Sequence, residues 1–210
     1  MSPQAESRRL QQVEGKRNAI IQAAVVLFSQ FGLHGTRLEQ VASSANVSKT
    51  NLLYYFASKE ALYAHVMQYL LDIWLSPLKS FNPQQDPLQA IGDYIRVKLE
   101  LSRDYPAESR LFCMEVMQGA PIIKHQLEQP LRELVANKVA VIQEWMDTGK
   151  LAKSDPYHLI FSLWSTTQHY ADFSAQVQAV TGRTLADPAF FEEVLENLKT
   201  LILRGIEPRV

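Results

Sequence analysis

The stretch TRLEQVASSANVSKTNLLYYF runs from Thr36 to Phe56 and contains the pattern of two short helices joined by a tight turn. Asn46 suits the turn, and Ser48 suits the N-cap of the second helix. That second helix carries few charges but many hydroxyl, amide and phenol groups. Because such groups can contact base edges in a DNA groove, the stretch predicts a helix-turn-helix.

The segments on either side also have helical periodicity. An apolar face precedes Gly32, which is expected to end the first helix. Thr36 is expected to cap the second helix, with Glu39 completing a capping box. Ser58 is expected to cap a fourth helix that runs through Trp74. Further helices follow, separated by loops near residues 82–87, 149–155 and 181–187. The fold class predicted is all-α, with a helix-turn-helix domain followed by a larger helical domain.

The expected domain boundaries fall near residues 14 and 75. Residues 1–14 are predicted to be a flexible leader, 15–75 the DNA-binding domain with its motif at 36–55, and 76–210 an effector-binding and dimerisation domain.

The charge is distributed unevenly along the chain, since residues 1–60 carry seven basic and four acidic side chains while the whole chain has a net charge of -1. A mildly basic N-terminal part suits contact with phosphates.

Composition narrows the class of protein. No apolar run approaches the roughly 20 residues that span a bilayer, and the N-terminus lacks the apolar centre of a signal peptide. Cys113 is the single cysteine, so a reducing compartment is the default. The sequence therefore predicts a cytoplasmic protein. It contains no glycine-rich phosphate loop, nucleophile elbow or metal-ligand spacing, so an enzyme is not expected and neither catalytic nor metal-binding residues are assigned.

The DNA-contacting residues are predicted from the motif and the start of the fourth helix. Asn51 can pair with an adenine edge, and the methyl group of Thr50 can contact a thymine methyl. Lysines, tyrosine hydroxyls and the amides near helix starts are better phosphate partners, which give affinity without sequence information. The full predicted set is Thr36, Arg37, Ser48, Lys49, Thr50, Asn51, Tyr54, Tyr55 and Lys59. A plain helical hairpin with a solvated polar face remains the alternative reading of the periodicity.

A family resemblance favours the first reading. The run AAVVLFSQFGLHGTRLEQVASSANVSKTNLLYYFASKEAL resembles the N-terminal domain of TetR-family regulators, including the F-x-x-x-G-x-x-x-T-R segment and the recognition helix V-S-K-x-x-L-Y-Y-F. The resemblance implies a homodimer that binds operator DNA, with C-terminal helices that bind a small molecule. Segments of the body, such as YIRVKLELSRDYPAESRLFCMEVMQGAP, are similar to the pyrimidine-utilisation repressors of that family. This second resemblance implies uracil or thymine as the effector and no cofactor.

A ligand pocket is predicted from polar residues within apolar helices. Trp164 and Gln168 are four residues apart and share a helix face, and Trp74 offers a second aromatic plane. A Gln amide can both donate to and accept from the edge of a pyrimidine ring. Weaker expected lining residues are Arg110, Cys113, Met114 and Tyr170. The alternative is that these side chains are core, since Trp and Met at helical spacing usually are.

The last two long helices carry more apolar residues than one core contact needs. In the family, this pair forms a four-helix bundle with its twofold mate, so a palindromic operator is expected. Trp74 lies on the helix that joins the DNA-binding domain to the pocket, which suggests how a ligand alters DNA affinity. The rival readings are a non-specific DNA-binding or protein-interaction module, and a regulator with a different effector, such as a hydrophobic drug or a fatty acyl compound.

Overall fold

The computed structural model describes the backbone of residues 3–208 and the side chains of residues 12–208. Within these residues the regular elements are all helical, which confirms the predicted all-α class. A five-residue π-helix at Leu127–Leu131 joins α7 to α8. The helices are α1 (Pro3–Gly35), α2 (Leu38–Ser44), α3 (Lys49–Tyr55), α4 (Lys59–Lys79), α5 (Pro87–Asp104), α6 (Pro106–Met117), α7 (Lys124–Gln126), α8 (Arg132–Asp147), α9 (Pro156–Asp172), α10 (Ser174–Thr181) and α11 (Pro188–Ile206).

The chain divides into two compact units. The first unit is Met1–Leu70 together with Arg110–Ile123, and the second is Leu71–Ser109 together with Lys124–Val210. Each unit has a buried apolar interior of its own.

The first unit is built on an apolar face of α1. Phe28 is fully buried and meets the ring of Tyr63 edge to face, with centroids 5.0 Å apart. Val41 of α2 and Leu52 of α3 are also fully buried, so the two short helices are fixed by packing rather than by their length. The small residue Ala42 between them is buried as well, as the sequence pattern indicates.

The turn between α2 and α3 confirms two predicted turn residues. Asn46 adopts a positive φ of 53°, a conformation that asparagine tolerates better than most residues. The Ser48 hydroxyl accepts a hydrogen bond from the backbone N–H of Asn51 at 3.1 Å, which satisfies one of the free donors at the start of α3. Ser58 does the same for the N–H of Ala61 at 3.0 Å, at the start of α4.

The start of α2 differs from the prediction. The N-cap residue is Arg37, whose backbone N–H donates to Oε1 of Gln40 at 3.0 Å. Thr36 is instead 1% exposed, and its hydroxyl donates to the carbonyls of Gly32 at 2.8 Å and Leu27 at 3.2 Å. The prediction that Thr36 caps α2 was wrong. Because α1 turns at Gly32, where φ is 67°, the Thr36 hydroxyl donates to carbonyl groups of α1 instead.

The expected flexible leader also differs from the structure. α1 begins at Pro3, so the backbone of residues 3–14 is helical. Proline is favoured in the first turn of a helix, and the Glu, Arg, Leu and Gln residues that follow have good helix propensity. Residues 1 and 2 of this predicted segment lie outside the described residues.

The second unit packs α5, α8, α9 and α11 around one apolar core. The fully buried Trp145 of α8 donates its indole N–H to the carbonyl of Pro83 at 3.3 Å. Its ring lies against Phe81, with centroids 5.5 Å apart. The ammonium of Lys138 donates to the carbonyls of Lys79 and Phe81, each at 2.9 Å, so it closes the C-terminal end of α4.

Three long helices of this unit start with the same dipeptide, Asp-Pro. Asp86, Asp155 and Asp187 are N-caps, and each carboxylate accepts a backbone N–H from the first turn that follows. The proline occupies the first helical position, where its missing N–H costs nothing. These local signals place α5, α9 and α11, and with them the buried side chains described next.

Candidate DNA-binding surface and ligand site

The exposed face of α3 holds the side chains that the sequence predicted for base contact. Tyr54 is 81% exposed, and Lys49 and Thr50 are also exposed. Asn51 and Tyr55 are half-buried. The rings of Tyr54 and Tyr55 meet edge to face with centroids 5.3 Å apart, which gives the solvent-facing phenol a rigid support.

The cationic groups beside this face already have partners in the free protein. Nζ of Lys49 lies 2.6 Å from Oε1 of Glu39, and hydrogen bonding to this lysine lowers the pKa of the Glu39 carboxyl. Lys59 donates to the carbonyl of Thr36 at 3.1 Å, which ties the start of α4 to the start of α2. Each ammonium has three donors, so both lysines keep N–H groups for a phosphate. Arg37 is exposed at the start of α2.

One predicted DNA contact is corrected by this geometry. The side chain of Thr36 is buried and its hydroxyl is bonded to the end of α1, so it stabilises the unit instead of facing solvent. Two other residues of the surface were missed. The sequence pattern predicts Glu39 only as part of a cap, yet it pairs with Lys49 across the two helices, and Leu53 is exposed on α3. The charge spacing of residues 39 and 49 gave no local signal for that pair.

Two predicted ligand residues of the second unit, Trp74 and Trp164, contact side chains of α5. Trp74 of α4 is 4% exposed, and the ammonium of Lys98 lies 5.3 Å from the centroid of its ring. The half-buried Trp164 of α9 donates its indole N–H to the hydroxyl of Tyr94 at 2.9 Å. Tyr94 and Lys98 are one turn apart on α5, so this helix lies beside both indoles. Burial raises the pKa of the Tyr94 phenol.

Two further predicted residues lie on the same helix as Trp164. Gln168 is half-buried one turn beyond it. The ring of Tyr170 contacts Phe190 of α11 edge to face, with centroids 6.3 Å apart. Burial raises the pKa of the Tyr170 phenol. Lys98 is the residue that the sequence analysis missed. A lysine within the amphipathic pattern of α5 reads as solvent-exposed, and only the packing of α4 and α9 on α5 buries it.

The remaining predicted ligand residues belong to the first unit. Arg110 and Cys113 are half-buried on α6. Met114 lines a cavity of about 440 Å³ together with Phe31, Tyr63 and Glu115. The buried carboxylate of Glu115 accepts hydrogen bonds from the Tyr63 hydroxyl at 3.1 Å and from the N–H of Ile122 at 2.7 Å. Burial and this carboxylate together raise the pKa of the Tyr63 phenol.

The described part of the chain contains no group of three or more His, Cys, Asp or Glu side chains placed to hold a metal ion. In that same part, none of the helices has the length and apolar character needed to cross a membrane.

Comparison with known proteins matches two consecutive segments of the chain to family models. Residues 20–66 match the family model described as bacterial regulatory proteins, tetR family. Residues 67–209 match the model described as YcdC-like protein, C-terminal region. The first match contains α2 and α3, and the second contains Trp74, Lys98 and Trp164.

Two curated relatives span nearly the same length. The HTH-type transcriptional regulator RutR of Escherichia coli K12 is 57% identical over 202 residues, which cover 96% of this chain and 95% of the relative. The HTH-type transcriptional repressor NicS of Pseudomonas putida is 26% identical, covering 94% of this chain and 95% of the relative. These relatives are regulators of transcription, not enzymes.

Solved structures share the fold at lower identity. A transcriptional regulator from Streptomyces coelicolor superposes with a TM-score of 0.72 at 23% identity, over 92% of this chain and 99% of that one. AibR, solved in complex with isovaleryl coenzyme A and operator DNA, gives a TM-score of 0.68 at 15% identity, over 90% of this chain and 98% of that one. At these identities the likeness concerns the fold.

Proposed function

The chain belongs to the TetR family of bacterial regulatory proteins and is a helix-turn-helix regulator of transcription, and we propose that it represses pyrimidine-catabolism genes from a palindromic operator. In this proposal uracil or thymine binds the second unit and releases the operator. The observation that carries the proposal is the solvent-facing side of α3, where hydroxyl, amide and phenol groups stand on a helix fixed by Leu52.

The proposed DNA contacts follow from the exposure of each side chain. Thr50 and Asn51 contact base edges in the major groove, whereas Tyr54 and Tyr55 reach base edges or phosphate. A second set gives affinity by contacting phosphates. It consists of Arg37, Lys49 and Lys59 and the backbone near Ser48.

The proposed homodimer uses the last helices. Large apolar side chains stay exposed there in the single chain, and they are Tyr157, Phe161, Phe173, Val180 and Leu201. Because exposed apolar groups at this density are unfavourable in water, a second copy of the chain is the natural cover. A twofold dimer presents two α3 helices to half-sites about 34 Å apart, one turn of DNA.

The proposed effector site is built from Trp74, Trp164 and Gln168. The indoles supply planar surfaces, and the Gln168 amide reads an edge that alternates N–H donors with carbonyl acceptors. Tyr170, on the same helix as Gln168, is proposed as a further lining residue, whereas Arg110, Cys113 and Met114 of the first unit stay predictions from the sequence. The 57% identity to RutR over 96% of the chain, together with the resemblance of the body to pyrimidine-utilisation repressors, supports uracil and thymine as the effectors.

The proposed release of the operator works through α4. This single helix begins at Lys59, beside α2, and carries Trp74 four turns later. A ligand that contacts Trp74 favours a conformation in which the two α3 helices no longer match the half-sites. Its effect is limited by its differential affinity for the two states, commonly about 1–3 kcal/mol. A regulator that binds DNA works where the chromosome lies, so the proposed location is the cytoplasm.

Genome-wide mapping of bound DNA, with and without added uracil, tests the operator and the effector together. We expect a few palindromic sites near pyrimidine-catabolism genes that lose the protein when uracil is present. Sites that lack a shared palindrome would contradict sequence-specific regulation.

A second measurement tests the pocket. Uracil is expected to release the operator from the wild type but not from Gln168→Ala, while Gln143→Ala, an exposed glutamine on α8, serves as the control. Release that is unaffected in Gln168→Ala contradicts the pocket assignment. The alternative is a TetR-type repressor with a different small, mostly apolar effector, and calorimetric titration with uracil, thymine and a fatty acyl compound separates the two.

A further inference from the structure

Arg17 of α1 is held in place by two neutral side chains of the first unit. Its guanidinium donates to Nε2 of His65 on α4 at 2.9 Å. The same guanidinium carbon lies 5.8 Å from the centroid of the Phe56 ring, and the His65 ring packs against Phe56 with centroids 5.5 Å apart. Because Phe56 is the C-cap of α3, three helices of this unit together fix one arginine side chain.

The hydrogen bond to Arg17 defines the protonation state of His65. A guanidinium stays charged and can only donate, so the imidazole nitrogen that faces it is an acceptor and the ring is neutral. Burial lowers the pKa of His65, and the Arg17 charge lowers it further, which keeps the ring neutral at pH 7. A neutral acceptor orients the guanidinium without cancelling its charge.

Other arginines of the chain are oriented by acidic partners instead. Arg96 lies 3.2 Å from Glu192, and Arg183 lies 2.9 Å from Glu193. Among the described side chains, no carboxylate forms such an ion pair with Arg17. This arginine therefore keeps its charge and most of its N–H donors for an anion from outside the chain.

The position of Arg17 favours DNA phosphate as that anion. Its ring partner Phe56 ends α3, whose exposed face carries the predicted base contacts. Lys59, a predicted phosphate contact, begins α4 three residues after Phe56. Lys16, the neighbour of Arg17 in the sequence, is exposed and adds to the positive charge. A guanidinium fork also matches the oxygens of a phosphate group, with which it can form two parallel hydrogen bonds.

We propose that Arg17 binds a DNA backbone phosphate beside α3 and that His65 positions its guanidinium for this contact. The inference rests on the proposed function, because it adds a contact to the same DNA-binding surface. Contacts to phosphate carry no sequence information, so Arg17 contributes affinity for any duplex, whereas Asn51 contributes on the operator alone. The proposed twofold dimer presents two such arginines.

Fluorescence anisotropy tests the proposal with an operator found by the genome-wide mapping and a random duplex of equal length. Arg17→Gln is expected to lower the affinity for both duplexes by a similar factor, about tenfold, and to make the dependence of log K on log salt shallower by about two. Arg132→Gln removes an exposed arginine of α8 and is expected to match the wild type. Unchanged affinity and salt dependence in Arg17→Gln overturn the inference and leave the proposed function intact.

A double-mutant cycle tests the positioning role of His65. His65→Leu removes the acceptor and is expected to weaken binding about threefold, because the guanidinium must then be ordered on binding. His65→Gln keeps an acceptor and is expected to retain the wild-type affinity. In the Arg17→Gln background, His65→Leu is expected to have no further effect, and thermal unfolding checks that each variant is folded.

Two further outcomes decide between the proposals. Losses that add in the double variant Arg17→Gln, His65→Leu contradict the positioning role of His65. A wild type that binds the palindrome no more tightly than the random duplex overturns the proposed function, and the salt dependence on the random duplex then still decides the role of Arg17.

Discussion

Lys49 in the first unit and Lys98 in the second have the same side chain in opposite surroundings. Lys49 is exposed on α3 and already paired with Glu39 at 2.6 Å. Lys98 is buried on α5, over the ring of Trp74. The first unit presents Lys49 and the other polar groups of α3 on its surface, where a large polymer such as DNA can reach them. The second unit keeps Lys98 in its interior, where a large polymer cannot reach it.

Removing the exposed polar groups of α3 gives the largest expected effect. Asn51→Ala combined with Tyr54→Ala removes two predicted contacts per subunit. Good base contacts are worth about 1–3 kcal/mol each, so operator affinity is expected to fall at least about 30-fold. Fluorescence anisotropy with a labelled operator measures the change, and Asn137→Ala on α8 is the control. Affinity within about threefold of the wild type would place the reading surface elsewhere.

The buried lysine is expected to make stability depend on pH. Burial lowers the pKa of Lys98 to about 7, and Asp172 opposes this shift. Between pH 7 and the ordinary lysine pKa of about 10.4, the unfolded chain holds a proton that the folded one does not. The free energy of unfolding therefore rises with pH across this window, whereas below pH 7 the cost of burying the charge is fully present.

Thermal unfolding at several pH values checks this prediction. The melting temperature without ligand is expected to be higher at pH 9 than at pH 6 by several degrees, because a shift of this size corresponds to a few kcal/mol. Lys98→Met is expected to lose most of that dependence and to be more stable than the wild type at pH 6. The control Lys153→Met is expected to follow the wild type. A parallel pH dependence in Lys98→Met and the wild type contradicts the assignment.

Two threonines of the first unit, one buried and one exposed, are expected to affect different properties when each is replaced by valine. Thr36→Val removes a buried hydroxyl that donates to the end of α1, so the free energy of unfolding is expected to fall by about 1–2 kcal/mol. Thr50→Val changes an exposed residue of α3 and is expected to alter operator affinity without altering stability. Denaturant unfolding and anisotropy are measured for both variants. Equal stability of the two would mean that the Thr36 hydroxyl does not anchor α1.

The smallest expected effect concerns the partner of Lys49. Glu39→Gln frees the ammonium and removes a negative charge near the predicted phosphate path. Operator affinity at low salt is expected to rise about two- to fivefold, with a smaller gain at high salt because exposed charges are screened. Glu133→Gln, an exposed change on α8, is the control. Lower affinity in Glu39→Gln would indicate that Glu39 itself contacts a base, as an acidic side chain can with cytosine.

Much of the helix-turn-helix could be predicted because its signals are local. The N-caps Ser48 and Ser58 and the turn residue Asn46 act through atoms within three or four residues, so their roles follow from neighbouring sequence. The role of Thr36 does not follow from its neighbours in the sequence. A threonine before an apolar stripe has the pattern of a cap, and only the turn of α1 at Gly32 brings two carbonyls to its hydroxyl.

The sequence by itself determined the all-α class, the position of α2 and α3, and the polar character of the surface that α3 presents. Those features depend on periodicity, caps and turn residues, which act over one or two helical turns. Only the tertiary structure decided which polar side chains are buried together. Trp74 and Lys98 come from two helices and are separated by many residues, and no local pattern marks their contact. Burial then changes the chemistry of a lysine from that of a solvated cation to that of a donor in need of an acceptor, because removing water removes its ordinary partners.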